Sequence, residues 1–433
     1  MFSIFEIIGW DTMGQTLFQK IISNVTGIEE PEEGSIVFVE PHRILTHDNS
    51  AAIMKTFYSM GAKKVWNPEK IFIALDHAVP PPDEKKAANH KAIREFVEEQ
   101  HIKHFYDCGI GICHQVLPQE GHVIPGVVIL GSDSHTTSHG ALGAAGIPIG
   151  RTEAASIWAI GQTWLNIPES IKLNLDGKLK KNVFAKDVIL HIIGDMRSDG
   201  ASYKSVEFHG NATKDFSISE RLTLCNMVAE MDGKAGMFPA DEVTDNYLRN
   251  RAIDAYKKIQ PDKDASYILE KDYDLDQIVP VVSKPHNVDN VSPISELPEI
   301  EIDVGLLGTC TNGRIDDLEA AAKILKGKKI KKNVRLLIYP ASQTILLEGI
   351  KKGIIQTLIE AGGELAVPGC GPCLGAYGGC LAPGETAISS ANRNFKGRMG
   401  CKEDTSIYLS SPATVAASVI EGKIVEPPKE VYS

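Results

Sequence analysis

Three cysteines stand where they could share one metal centre. Cys310 lies in Gly308-Thr309-Cys310-Thr311-Asn312-Gly313, and Cys370 and Cys373 lie in Gly369-Cys370-Gly371-Pro372-Cys373-Leu374-Gly375. Thiolates are soft ligands, and flanking glycines let backbone N–H groups approach inorganic sulfide. Three thiolates suit a [4Fe–4S] cube whose fourth iron has no protein ligand and can polarise a hydroxyl. A lone Cys-x-x-Cys pair serves zinc, redox exchange and plain burial equally well, so spacing alone leaves these alternatives open. Structural zinc usually takes four ligands in two pairs, and a redox pair would leave Cys310 without a role. Cys108, Cys113, Cys225, Cys380 and Cys401 have no such glycine cradle and read as ordinary buried thiols.

Loops of this kind need rigid carriers, and the pattern supplies them. Short apolar runs at Ile71–Leu75, Gly126–Leu130, Val304–Leu307 and Val334–Tyr339 alternate with helical periodicity at Asn89–Gln100, Thr152–Trp164, Asp316–Leu325 and Ser342–Lys351. That alternation predicts α/β layers. Lys172–Leu175, Asp176-Gly177 and Lys178–Leu179 read as two strands across a tight turn. Boundaries are expected near 168 and within the Asp- and Pro-rich stretch 259–298, giving α/β domains at 1–168, 169–290 and 291–433. The chemically able side chains follow predicted strands: Asp76-His77, Asp133-Ser134-His135, Glu207-Phe208-His209, Cys310 and Cys370. Ligands of open α/β sheets bind beyond the carboxyl ends of strands, so these groups are expected to converge on one site.

Composition narrows the classes. The chain has 433 residues, 43% hydrophobic and 23% charged, with a net charge of −11. That acidic balance disfavours a nucleic-acid or anionic-membrane surface. Eight cysteines in this length are too few for a disulfide framework and fit a reducing compartment. No apolar run is long enough to span a bilayer, and residues 1–12 make a poor signal peptide because they lack a basic start and carry Glu6. A cytoplasmic protein is expected.

Several ordered segments resemble the aconitase superfamily: Leu130-Gly-Ser-Asp-Ser-His-Thr136, Gly308–Asp317, Cys370–Gly375, Asn392–Gly400 and Ser410–Thr414. Asn312-Gly-Arg-Ile-Asp-Asp317 and Gly397-Arg-Met-Gly400 are most similar to its branch of 3-isopropylmalate dehydratase large subunits and their archaeal relatives. The resemblance implies three α/β/α domains around a [4Fe–4S] cluster held by Cys310, Cys370 and Cys373. It implies a hydro-lyase that dehydrates and rehydrates an alkyl-substituted malate, foremost 3-isopropylmalate. 2,3-Dimethylmalate and homocitrate/homoaconitate are the alternatives. It implies Asp76, His77, His114, Asp133, His135 and Glu207 as catalytic, and Asn392, Arg393, Arg398, His47 and Asp48 as substrate-binding. Relatives' swivel domain, which carries a serine base, has no counterpart before Ser433, so a separate small subunit is expected in a heterodimer or heterotetramer. His139, His209 and Glu153 are read as packing or helix-start residues. Pro148 and Arg151 depart from the family's usual small residues and bear on which substituent is tolerated. Cluster-switched RNA binding, a different class, is disfavoured by the acidic balance.

Overall fold

The computed structural model describes residues 14–375 and 378–429. Residues 1–12, whose role the sequence left open, lie outside the described residues.

Three mainly parallel sheets with flanking helices form the chain. The first has five strands, in the order His104–Tyr106, Ile71–Ala74, Arg43–Thr46, Val128–Gly131 and Ala145–Pro148, all parallel. The second has four parallel strands, in the order Ala235–Met237, Ser205–His209, Ser170–Asp176 and Leu269–Asp274. The third has seven, in the order Val291–Pro293, Val281–Ser283, Ser406–Leu409, Thr386–Ser389, Val304–Gly308, Arg335–Tyr339 and Glu364–Leu365. Its first three strands pair antiparallel and the rest parallel. A short antiparallel ribbon joins Ile36–Val39 to Thr163–Asn166.

The apolar runs become interior strands because both faces of a covered parallel sheet are dry. In Ile71–Ala74 every residue is buried, and alternate side chains enter different cores. Ile71 and Ile73 join a core with Trp158 and Phe57, while Phe72 and Ala74 join the core that continues into the other two sheets. Period two thus welds the first sheet to its own helices on one side and to the rest of the molecule on the other.

The strand pair expected across Asp176-Gly177 does not form. Ser170–Asp176 is an interior strand flanked by parallel neighbours on both edges, so its pairing partners come from far along the chain. The helix expected over Thr152–Trp164 ends at Ile160, where Gly161 takes a left-handed cap, and the ribbon strand begins at Thr163. Among the described residues, no helix is long and apolar enough to cross a membrane.

Candidate active site

Side chains from the ends of several strands meet in a cavity of about 580 Å³. Its acid–base part comes from the first sheet. Strand Ile71–Ala74 runs into Leu75-Asp76-His77, and Val128–Gly131 runs into Ser132-Asp133. His77 Nδ1 lies 2.6 Å from Asp76 Oδ1, and its Nε2 lies 3.2 Å from Asp133 Oδ2. Asp133 Oδ1 also faces His114 Nε2 at 2.7 Å and accepts the His135 backbone N–H at 2.8 Å. Burial alone would strip the charge from His77, yet Asp76 and Asp133 on either side hold its pKa well above the usual imidazole value. Burial likewise opposes ionisation of Asp133, but bonds from His114, His135 and His77 hold it well below the carboxylate range. The result is a buried imidazolium between two carboxylates, a poised proton donor.

His47 stacks on His77 with ring centroids 3.9 Å apart. Burial and the facing His77 pull His47 down to about 4, so this ring is neutral beside a charged one. Asp48, expected beside the substrate, lines the cavity, and its carboxylate is engaged on several sides. Oδ2 accepts the backbone N–H of Asp76 and His77 at 3.0 and 2.8 Å, while Oδ1 accepts that of Ala78 at 3.0 Å and lies 2.6 Å from His90 Nε2.

The thiols come from the third sheet. Strand Val304–Gly308 turns sharply into Cys310 through Gly308 at φ +129° and Thr309 at φ +68°. A Cβ on Gly308 would sit 2.0 Å from the Tyr339 carbonyl oxygen, so only glycine fits. Thr309 in the left-handed region is strained by about 1–3 kcal/mol. Arg314 holds the turn by donating to the Cys310 and Thr311 carbonyls at 2.7 and 2.6 Å. Cys310, Cys370 and Cys373 are buried, free of disulfides, and open onto the same cavity. Asn392 bridges two of them, its amide nitrogen 3.4 Å from Cys310 Sγ and its oxygen 3.2 Å from Cys373 Sγ. Asn226 donates to Cys310 Sγ at 3.4 Å.

Cations complete the cavity. Arg393 Nε lies 2.8 Å from Glu230 Oε1, leaving its terminal nitrogens without a partner among the described residues. Arg398 donates to the Cys373 carbonyl at 3.2 Å. Lys86 and Arg151 line the cavity with no carboxylate partner among the described residues. Behind the thiols, the buried Lys186 ammonium donates to the carbonyls of Ser390 and Ala391 at 2.8 and 2.6 Å, with Asn312 Oδ1 at 3.5 Å.

One expected member is elsewhere. Glu207, assigned from the resemblance as a histidine's acidic partner in the site, is absent from this cavity. It lies inside strand Ser205–His209, where it accepts from the Leu17 backbone and Tyr267 and pairs with His209 at 3.0 Å. Besides Asp76 and Asp133, the acid that partners a site histidine is Glu230, 2.9 Å from His135 Nε2. A signal was present: Glu230 is a lone charge in the apolar run Met227-Val228-Ala229-Glu230-Met231, and Asn226 precedes it by four residues. Asn312 faces Asp317, Thr223 and Lys186.

Residues 19–301 and 295–422 match the Aconitase family (aconitate hydratase). The 3-isopropylmalate dehydratase large subunit 1 of Methanopyrus kandleri is 45% identical over 416 residues, covering 96% of this chain and 99% of its own. A probable methanogen homoaconitase large subunit of Methanosarcina mazei is 48% identical over 386 residues, covering 89% and 98%. The crystal structure of Thermococcus kodakaraensis aconitase X superposes with a TM-score of 0.48 at 12% identity, over 90% of this chain and 93% of that one.

Proposed function

This chain belongs to the aconitase family, and we propose that it is the large subunit of a hydro-lyase that removes water from a substituted malate and returns it. 3-Isopropylmalate is the first substrate by the names of its relatives. The observation that carries the reading is one cavity lined by three buried thiols, the charged His77 and three arginines, Arg151, Arg393 and Arg398.

The thiols fit a [4Fe–4S] cluster: all three are buried, none is in a disulfide, and two are spanned by an asparagine amide that can bond sulfide. Cys310, Cys370 and Cys373 would hold it. When bound, such a cluster supplies Lewis acidity toward a hydroxyl. The chain's own residues do the rest. Arg393 and Arg398 grip the substrate carboxylates, to which a two-pronged guanidinium is suited. Asp133 sets the orientation of His77 and His114 together. His77 gives its proton to the departing hydroxide and recovers it from water in the reverse direction. The carbon-bound proton is taken by a base on a small subunit, the partner that the relatives' "large subunit" names imply.

A second reading, turnover of homocitrate or homoaconitate, is favoured by the unpaired Lys86 and Arg151 in the cavity and by the relative named a homoaconitase. The test is anaerobic reconstitution of this chain with a small subunit from the same source. Formation of the unsaturated acid is then followed from 3-isopropylmalate, 2,3-dimethylmalate and homocitrate. Turnover of at least one is expected, and inactivity on all three rejects the proposal.

A further inference from the structure

His90 lies outside every motif singled out in the sequence, yet it stands behind the proton donor. It is buried on helix Glu84–Glu99, and its Nε2 is 2.6 Å from Asp48 Oδ1. Asp48 in turn accepts three consecutive backbone N–H groups, those of Asp76, His77 and Ala78. A carboxylate can only accept, so Nε2 carries the proton in this pair. The other ring nitrogen faces the Cys108 thiol, with Nδ1 to Sγ at 3.4 Å. Burial pushes that thiol up to about 11, which keeps its S–H available to donate. Both ring nitrogens therefore have partners, which holds the ring in one orientation.

The three N–H groups belong to the turn that aims His77. The same turn offers the Asp76 carbonyl to the Cys370 N–H at 2.8 Å and the Asp76 carboxylate to the Cys113 N–H at 2.7 Å. The His77 ring must meet Asp76 on one side and Asp133 on the other, and small rotations of the turn would break one contact. Asp48 is the only carboxylate bonded to all three amides, and His90 is the only side chain bonded to Asp48 among the described residues.

We propose that His90 is a positioning residue for the reaction: it fixes Asp48, and Asp48 fixes the 76–78 turn so that the His77 imidazole meets Asp133. The proposal rests on the hydro-lyase reading for its kinetic consequence and on geometry alone for its structural one. His90→Phe keeps the volume and removes the donor, whereas the amide of His90→Gln can still reach Asp48. In the assembled enzyme, His90→Phe should lower kcat about 30-fold with KM within about 2-fold, as misplacement of a reacting group does. His90→Gln should recover most of that loss. Hydrogen exchange of amides 76–78 should speed up about 10-fold or more in the phenylalanine variant while the sheet amides stay protected. Unchanged exchange at 76–78, or equal losses in the two variants, overturns the proposal. His90→Met, read the same two ways, decides it should the phenylalanine variant fold poorly. If the wild-type assembly turns over no substrate, the hydro-lyase reading fails, and the exchange measurement still decides the role of His90.

Discussion

Asp133 carries more of the site than any other residue, because three imidazoles bear on one carboxylate. His114, His135 and His77 all approach it within 3.4 Å. This crowding makes a pH test possible. After burial, which works the other way, the largest influences on His77 are the Asp76 charge and the Asp133 hydrogen bond, both raising its pKa. Asp133→Asn removes one of these charges, so His77 must lose its proton at lower pH. The alkaline limb of kcat/KM should move to lower pH by about one unit or more, with kcat at its optimum down about 10- to 100-fold. A pH–rate profile of the reconstituted pair checks this, and an unmoved alkaline limb removes His77 from the role of acid. Much of this cluster was legible, because Asp76-His77 and Asp133-Ser-His135 are contiguous polar groups following apolar strands. Glu230 and Asn226 were harder to single out, since the only signal of each is one polar side chain inside a helical apolar run. The neighbouring motif at Glu207-Phe-His209 offered a more conspicuous acid, whose carboxylate the fold spends on the Leu17 amide and Tyr267.

Elements position these groups by ending abruptly. Strand Val304–Gly308 leaves the sheet at Gly308, whose left-handed backbone passes beneath the Tyr339 carbonyl and turns Cys310 toward the cavity. Gly308→Ala should therefore act on the cysteine loop before it acts on the sheet. The methyl group meets backbone oxygen, which cannot rotate away, so we expect a loss of about 2–4 kcal/mol in urea unfolding. Iron content after anaerobic reconstitution should fall well below wild type, while far-ultraviolet circular dichroism stays α/β. Wild-type iron content and stability would show that the turn can shift to admit a methyl group and does not depend on glycine. At this scale the sequence is readable wherever a buried parallel strand writes itself as an unbroken apolar run. It misleads at Ser170–Asp176, where Asp176-Gly177 mimics a hairpin turn. The strand instead takes neighbours from 205–209 and 269–274, a choice made by packing rather than by local turn chemistry.

The whole molecule places its site where the three sheets meet, and a few long-range polar bonds fasten that junction. His135 from the first sheet and Arg393 from the third share Glu230, which lies near the second. The net charge of −11 hides a local cluster of cations, because Lys86, Arg151, Arg393 and Arg398 all line one cavity. Lys186 is the deepest fastener: it starts helix Ala185–Met196 on the second sheet and donates to the Ser390 and Ala391 carbonyls of the third. Nothing near residue 186 in the sequence announces partners 204 and 205 residues away. Burial, only partly offset by Asp317 and the neighbouring thiols, pulls the Lys186 ammonium down to about 7. The unfolded chain holds that proton up to roughly pH 10. Between those values the unfolded state binds more protons, so this group makes wild-type stability rise with pH from about 7 to about 10 and fall again toward 7. Lys186→Met removes the titration and leaves two buried carbonyls unpaired. Urea unfolding at pH 7, 8.5 and 10 should therefore show a flatter pH dependence in the variant. Its deficit relative to wild type should be greatest at pH 10, where wild type no longer bears the cost of a buried charge. A slope matching wild type across that range would mean that the ammonium reaches water, and Lys186 would then not be a buried fastener of the junction.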